Sequence, residues 1–290
     1  MKKPSVILTA DWHLRETKPK CRTDNFWITQ WKKVSYIVSL AQYYKIPIII
    51  AGDLYHKDQP SCYLLSTTIE KLNKGNYVVY GQHDLPDNQL KNAHKSGIRT
   101  LQWSGMIQVL GECHYDETPK DGSLRFPNSN RNVLVWHKFV WDGKTLPWPG
   151  CEEQTAEEVL DQYPQFDLIV TGDHHKPFTF KKDGRLLINP GLLTRQKADE
   201  KINPRVYLWY EQDNTVEEQL LEIEEDAVTD EYIRQEEARD NRMSAFVERL
   251  DGDWEVSVNF EQNVKEFVSN NKISKPVVDV VNKSIKDNYE

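Results

Sequence analysis

Ser5-Val6-Ile7-Leu8-Thr9-Ala10-Asp11-Trp12-His13 joins an apolar, β-favouring run directly to a carboxylate and an imidazole two residues apart. Valine, isoleucine and threonine suit a strand. In an extended exit from that strand, residues two apart point the same way, so Asp11 and His13 could bind one ion together. The layout returns four times downstream. Ile48-Ile49-Ile50-Ala51 leads to Gly52-Asp53, and Tyr77 to Tyr80 lead to Gly81-Gln82-His83-Asp84. Val133-Leu134-Val135-Trp136 leads to His137, and Leu168 to Thr171 lead to Gly172-Asp173-His174-His175. One such segment arises readily by chance, and a single buried histidine at a strand end is ordinarily just hydrogen-bonded. Five in succession at strand carboxyl ends, where open α/β sheets gather their ligands, indicate one metal-dependent site.

Outside these segments the chain alternates short apolar runs with helical spacing, the pattern of a sheet covered by helices. Further strands are expected at Leu186 to Ile188 and Val206 to Tyr210. Asp24 is a candidate N-cap for a helix whose apolar face is Trp27, Trp31, Val34, Val38 and Ala41. A second helix is expected after Pro60-Ser61, stopping near Gly75. Beyond Tyr210 the sequence turns acidic and poor in apolar residues, then shows short amphipathic patterns at Phe246 to Leu250, Val264 to Val268 and Val277 to Ile285. A boundary near residue 212 is therefore expected, with a catalytic domain over 1–212 and an extension over 213–290.

The net charge of -8 is unevenly spread. Residues 1–100 carry 15 basic and 8 acidic side chains, residues 101–215 carry 13 and 17, and residues 216–290 carry 9 and 20. The basic N-terminal third, with bound metals, is compatible with a polyanionic substrate. The overall acidity argues against strong nonspecific DNA binding by this chain alone. Four scattered cysteines, Cys21, Cys62, Cys113 and Cys151, form no CxxC pair, which speaks against a zinc-cysteine site and for a reducing compartment. No secretory signal or membrane span is read, and a cytoplasmic location is expected.

The order DxH, GD, G-Q-H-D, H and G-D-H-H resembles the calcineurin-like metallophosphoesterases, in particular their SbcD-type, double-strand-break repair nuclease branch. Asn189-Pro190-Gly191 resembles the downstream segment of that branch, and the likeness covers about two-thirds of the chain. It implies a four-layer α/β/β/α sandwich and two divalent metal ions, Mn²⁺ first, with Mg²⁺, Fe²⁺ or Zn²⁺ as alternatives. One ion would be held by Asp11, His13, Asp53 and His175, the other by Asp53, Gln82, His137 and Asp173. His83 would be the catalytic, non-ligand histidine, oriented by Asp84. The reaction implied is hydrolysis of a phosphodiester in DNA, exo- or endonucleolytic, by the nuclease subunit of an SbcCD-like repair or recombination complex. Its partners would be DNA and an SbcC-like coiled-coil ATPase, with room for a homodimer; a phage-encoded protein would act in the host cytoplasm. Residues 213–290 could bear part of the ATPase contact.

Two positions depart from that family pattern, and both fall on the second ion. Gln82 stands where the family has asparagine, one methylene shorter, and Asp173 stands where it has histidine, so the donor set is harder. His174 is an alternative ligand to Asp173. A small-molecule or nucleotide phosphodiesterase is the first rival reading; a silent binding subunit of the same fold is the second. Arg195 is a candidate substrate contact. Trp136, Trp141 and Trp148, interleaved with Lys138 and Lys144, could stack on unpaired bases, although core packing is the ordinary account of such residues. Lys18, Lys20 and Arg22 could touch phosphates or form a solvated loop. His56, His94 and His114 have no partner pattern and are read as surface or structural.

Overall fold

Strand β1 (Val6–Thr9) sends Val6 and Leu8 to one side and Ile7 to the other, and all three are fully buried, so both faces of its sheet are covered. That alternation organises the chain. In the computed structural model, residues 2–110, 123–125, 129–198, 200, 202–224, 226–251 and 260–289 are described. After β1 come α1 (Phe26–Tyr44), β2 (Ile48–Ile50), α2 (Cys62–Lys71) and β3 (Asn76–Val78). Short 3₁₀ turns cover residues 82–95, followed by α3 (Gly97–Trp103) and β4 (Ile107–Val109). Then follow β5 (Ser123–Arg125), β6 (Asn132–Trp136), α4 (Ala156–Gln162) and β7 (Leu168–Thr171). The series continues with β8 (Phe178–Lys182), β9 (Arg185–Asn189), β10 (Arg205–Tyr210) and β11 (Thr215–Leu220).

Two sheets result, one ordered β11-β10-β1-β2-β3-β4 and the other β5-β6-β7-β9-β8. Val6, Leu8, Ile49, Tyr207 and Trp209 of the first sheet share one apolar cluster with Val133, Val135, Leu168, Val170 and Ile188 of the second. The opposite faces are covered by helices. Ile7, Ile48 and Ile50 pack with Trp31, Val34 and Val38 of α1, while Leu134, Ile169 and Leu187 pack with Val159 and Leu160 of α4. The fold is the expected α/β/β/α sandwich, with three apolar layers between four layers of secondary structure. Asn214 ties the sheets at one end: it accepts from the Trp209 indole at 2.9 Å and donates to the carbonyls of Asp167 and Gly184, both at 2.8 Å.

Strands β1, β2, β3 and β4 run parallel, as do β6, β7 and β9, so their carboxyl ends open toward the same loops. Asn25, rather than Asp24, caps α1, accepting from the Ile28 amide; Asp24 instead accepts from the Arg22 guanidinium and the Thr29 hydroxyl. Arg22 is thereby buried in an ion pair and is not a free phosphate contact. Ser61 caps α2 as its sequence suggests.

The expected boundary near residue 212 falls inside a hairpin. Arg205 to Tyr210 pair in register with Leu220 to Thr215, and the first compact unit runs on to Tyr232. The second unit, Ile233–Glu290, contains most of α5 (Glu231–Asp251), with α6 (Phe260–Asn270) and α7 (Lys275–Tyr289). On α7, Val277 and Val280 are exposed. Among the described residues no helix is long and apolar enough to cross a membrane. Cys21, Cys62 and Cys151 are free thiols; Cys113 and His114 lie outside the described residues.

Candidate metal centre

In the segments that follow β1, β2 and β7, four site residues hold left-handed backbone. Asp11 (φ 48°), His13 (φ 45°), Asp53 (φ 49°) and Asp173 (φ 70°) all have positive φ. The exit from β1 is therefore not extended, contrary to expectation, and Asp11 and His13 converge through turns instead. Non-glycine residues in this region cost about 1–2 kcal/mol each, and such strain gathers where side chains must be aimed. The surrounding hydrogen bonds hold it: the amides of Asp11 and His13 donate to the carbonyls of Gly52 and Asp53 at 3.1 and 2.9 Å.

The side chains meet over the sheet edge. Asp11, Asp53 and His137 are almost fully buried. One oxygen of Asp53, Oδ2, faces His137 Nε2 at 3.4 Å and His13 Nε2 at 3.6 Å. His13 Nε2 faces His175 Nε2 at 3.4 Å, and His137 Nδ1 lies 4.0 Å from Asp11 Oδ1. Asp11, His13 and His175 form one group that could hold a cation, and Asp11, Asp53 and His137 form another, so Asp11 belongs to both. A third such group is His13, His56 and His83. His56, read from sequence as surface or structural, stands in the site: its ring stacks on His83 at 5.4 Å and lies 5.9 Å from His13.

Second contacts fix which nitrogen each imidazole presents. His137 Nδ1 donates to the Ala51 carbonyl at 2.7 Å, and His175 Nδ1 pairs with the Glu200 carboxylate at 3.1 Å. In both rings Nε2 is the nitrogen left facing the cluster, an arrangement typical of metal-binding histidines. Glu200 also accepts from the amides of Gln196 and Lys197. No strand or motif flags Glu200 in the sequence; only its spacing after Asn189-Pro190-Gly191 could have drawn attention to it.

The residues fit a divalent pair. Asp11 Oδ2, His13 Nδ1, Asp53 Oδ2, Gln82 Oε1 and His137 Nε2 are buried with no hydrogen-bond partner. Buried polar atoms seldom stay unpaired, because each lost partner costs about 1–3 kcal/mol. Electrostatics point the same way. Burial pushes the Asp11 carboxyl up to about 7 and holds the His13 imidazole well below its usual range. Burial works against ionising Asp53 and His137 too, yet His137, His13 and His83 keep Asp53 acidic, and Asp53 with Asp11 and Asp173 raises His137 to about 10. Cations among these donors would relieve the desolvation of both carboxylates and occupy the orphaned lone pairs.

Glycines make the convergence sterically feasible. A Cβ on Gly52 (φ +86°) would lie 2.2 Å from His137 Nδ1, and one on Gly172 would lie 2.2 Å from the Ala51 carbonyl. Nothing larger than glycine leaves His137 in place.

The two positions that depart from the family pattern touch each other. Gln82 Nε2 donates to Asp173 Oδ1 at 2.6 Å, leaving Gln82 Oε1 as the free donor atom. His174 turns away: its ring lies 4.6 Å from Phe139 and 6.0 Å from Phe178. Asp173, not His174, is therefore the residue of this loop beside Gln82. Gln82→Asn is one methylene too short for the 2.6 Å bond and is expected to lower Mn²⁺-dependent turnover about ten- to hundredfold, a charge-assisted hydrogen bond being worth about 1.5–3 kcal/mol. Adding Asp173→His should restore most of it. Two single changes that each prove harmless, with additive effects in the double variant, would sink this coupling.

His83 sits at the mouth with its amide donating to Asp53 Oδ1 at 2.9 Å. Its Nδ1 donates to the His56 carbonyl at 3.0 Å, which leaves Nε2 free for substrate. Asp84 does not orient it, as had been expected. The buried Asp84 carboxylate accepts instead from the amides of Leu54, Tyr55 and Gly81, at 3.2, 3.0 and 3.1 Å, and so clamps the loop after β2 to the loop after β3.

A cleft of about 700 Å³ opens beside the cluster; Asp53, His83, Asp173 and His175 line it together with Phe139, Trp148, Lys176 and Lys197. Arg195 does not line it; it lies near Cys21 and Lys33 instead. Of the three tryptophans after β5, Trp136 and Trp141 are buried, the first against Tyr163, while Trp148 is 46% exposed. Lys138 and Lys144 are paired with Glu153 and Asp142.

Comparison with known proteins bears on the whole of this region. A model of the calcineurin-like phosphoesterase superfamily domain matches residues 5–214. The DNA double-strand break repair protein Mre11 of Haloferax volcanii is 27% identical over 237 residues, covering 76% of this chain and 49% of that protein. Mre11 of Halobacterium salinarum is 26% identical over 177 residues, covering 55% of this chain and 44% of that protein. The chain thus spans about half the length of these curated relatives. Among solved structures, a putative 5'-nucleotidase from Staphylococcus aureus overlays with a TM-score of 0.47 at 15% identity, covering 80% of this chain and 57% of that one.

Proposed function

Since this chain belongs to the calcineurin-like phosphoesterase superfamily, we propose that it is a two-metal phosphodiesterase acting on DNA, a nuclease of the SbcD and Mre11 type. The observation that carries this reading is the convergence of Asp11, His13, Asp53, His137 and His175, with orphaned, buried donor atoms on Asp11, Asp53 and His137. The resemblance to repair nucleases supports DNA as the substrate.

One ion would sit with Asp11, His13, Asp53 and His175, the second with Asp53, Gln82, His137 and Asp173. When bound, two divalent ions supply Lewis-acid polarisation of the phosphoryl oxygens and a nucleophile at neutral pH. The chain's own residues do the rest. Asp53, held by the His83 amide, keeps its second oxygen aimed between His13 and His137. The Ala51 carbonyl and Glu200 hold His137 and His175 in the tautomer that faces inward. His83, turned by the His56 carbonyl, presents Nε2 to the departing oxygen and, as imidazolium, donates a proton to it. Mn²⁺ suits this oxygen-rich set, because Asp173 replaces an imidazole with a carboxylate.

The protein would work in the cytoplasm with a coiled-coil ATPase of the SbcC type. The exposed Val277 and Val280 on α7 suit such a contact. The test is hydrolysis by purified protein of end-labelled DNA and of bis-p-nitrophenyl phosphate, with Mn²⁺ and with EDTA. Both substrates are expected to be cleaved with Mn²⁺ and neither in EDTA. Cleavage of the small diester alone would transfer the reading to a small-molecule phosphodiesterase, and cleavage of neither would favour a silent subunit.

A further inference from the structure

We infer that Phe139 and Trp148 form a nucleobase-stacking subsite beside the candidate metal centre, making a strand with an unpaired base at the cleavage site the preferred substrate; this rests on the nuclease reading above. Phe139, Trp148 and His174, which line the cleft, belong to a row of rings. Trp148 meets Phe139 edge to face at 5.1 Å between centroids, Phe139 meets His174 at 4.6 Å, and His174 reaches Phe178 at 6.0 Å. Packing of this kind holds Phe139 half-buried and leaves Trp148 46% exposed, and the indole lines the same cleft as Asp53, His83 and His175.

The chemistry of the remaining lining residues says what would lie on that indole. Lys176 and Lys197 are exposed in the cleft, and neither ammonium makes an ion pair with a described residue. Lys138 and Lys144, by contrast, are each held by a carboxylate. An exposed indole sharing a cleft with two ammonium groups that have no ion pair among the described residues matches a nucleotide: the ring takes the base and the lysines take the phosphates. A phosphate monoester or an aliphatic diester would leave the indole in water. A base within a duplex is already stacked on both sides and paired, so it must leave the helix to reach Trp148. Unpaired bases reach it without that loss.

The inference is tested with a set of single-stranded oligonucleotides, each carrying one abasic residue at a defined distance from the cleavage site. Wild type should cleave one of these about ten- to hundredfold more slowly than the intact strand, the loss expected for one base on one aromatic ring. Trp148→Ala should cleave the intact strand more slowly by a similar factor, and the penalty of that abasic position should vanish in the variant. Trp148→Phe, which keeps a ring, should retain most of the penalty. The same pattern should appear in binding affinities measured in EDTA, where no turnover occurs. Within wild type alone, a blunt duplex of the same sequence should be cleaved at least about tenfold more slowly than the single strand, which decides the matter even if the variants fold poorly. Equal cleavage of duplex and single strand, or an abasic penalty that persists undiminished in Trp148→Ala, overturns the subsite while leaving the nuclease reading intact. Turnover of bis-p-nitrophenyl phosphate with no cleavage of any oligonucleotide overturns both.

Discussion

Asp53→Ala is expected to lose both metal ions and at least about a thousandfold in Mn²⁺-dependent turnover. Asp53 Oδ2 lies within 3.6 Å of both His13 Nε2 and His137 Nε2, so one substitution would strip a ligand from both proposed sites at once. The side chain is buried, and a neutral water in the space left by its carboxylate would supply none of its charge. Removing one preorganised charge-stabilising group commonly costs about 10²–10³ in turnover, and two ions depend on this one. Asp53→Asn keeps the shape and loses the charge, so it should bind metal more weakly than wild type while folding as well. Metal content by elemental analysis of dialysed protein, alongside activity, checks both variants. One tightly held equivalent together with measurable turnover in Asp53→Ala would place the bridge elsewhere, and Asp11, which belongs to both adjoining groups, would be the residue to substitute next.

His83→Ala should produce the opposite dissociation, with metal content unchanged and kcat lower by about 10²–10⁴, the range for loss of a positioned general acid. The structure supplies the reason. The contact between this residue and Asp53 is made by its backbone amide, which alanine keeps, while the ring is held by the His56 carbonyl and the neighbouring His56 and His13 rings. Turnover should therefore fall without loss of the bridging geometry. His13, His56 and His83 could in principle hold a cation of their own. Metal lost in step with activity would show that His83 is a ligand, and would reassign its role.

Asp84 shows how an assignment by neighbourhood alone goes astray. It follows His83 in sequence and is as buried as Asp53, yet its carboxylate serves three backbone amides of two different loops. A residue adjacent in the chain points elsewhere once the backbone turns, and the turn depends on the loop after β2, thirty residues earlier. Arg195 fails as a cleft residue for the same reason. Trp148 and its two buried companions, Trp136 and Trp141, are indistinguishable by type; Trp136 ends β6, and Trp141 and Trp148 occupy different parts of the loop after it.

What the sequence determined by itself is six of the seven parallel strands, with the antiparallel β10, and the identity of the residues at the ends of those that carry the site. Runs such as Val6 to Thr9 and Leu168 to Thr171 are short, apolar on both faces and β-branched, properties carried within a few residues of chain, and all seven expected strands formed. Of the missed strands, β4 is a three-residue edge strand with a short apolar run, and β8 and β11 lack that local signal. β8 alternates half-buried and exposed residues, and β11, Thr215–Leu220, is acidic and mostly exposed at a sheet edge. β11 owes its conformation to hydrogen bonds with β10, which is also why the first unit extends to Tyr232 and not to residue 212. Tertiary structure alone decided which residues meet. His56 joins His13 and His83, Glu200 reaches His175, and Phe139, Trp148, Lys176 and Lys197 share one cleft with Asp53. Left-handed turns at Asp11, His13, Asp53 and Asp173 aim those side chains. Such backbone is unfavourable in isolation and persists only because the packed sheet edge and its hydrogen bonds hold it, so no local pattern of residues announces it.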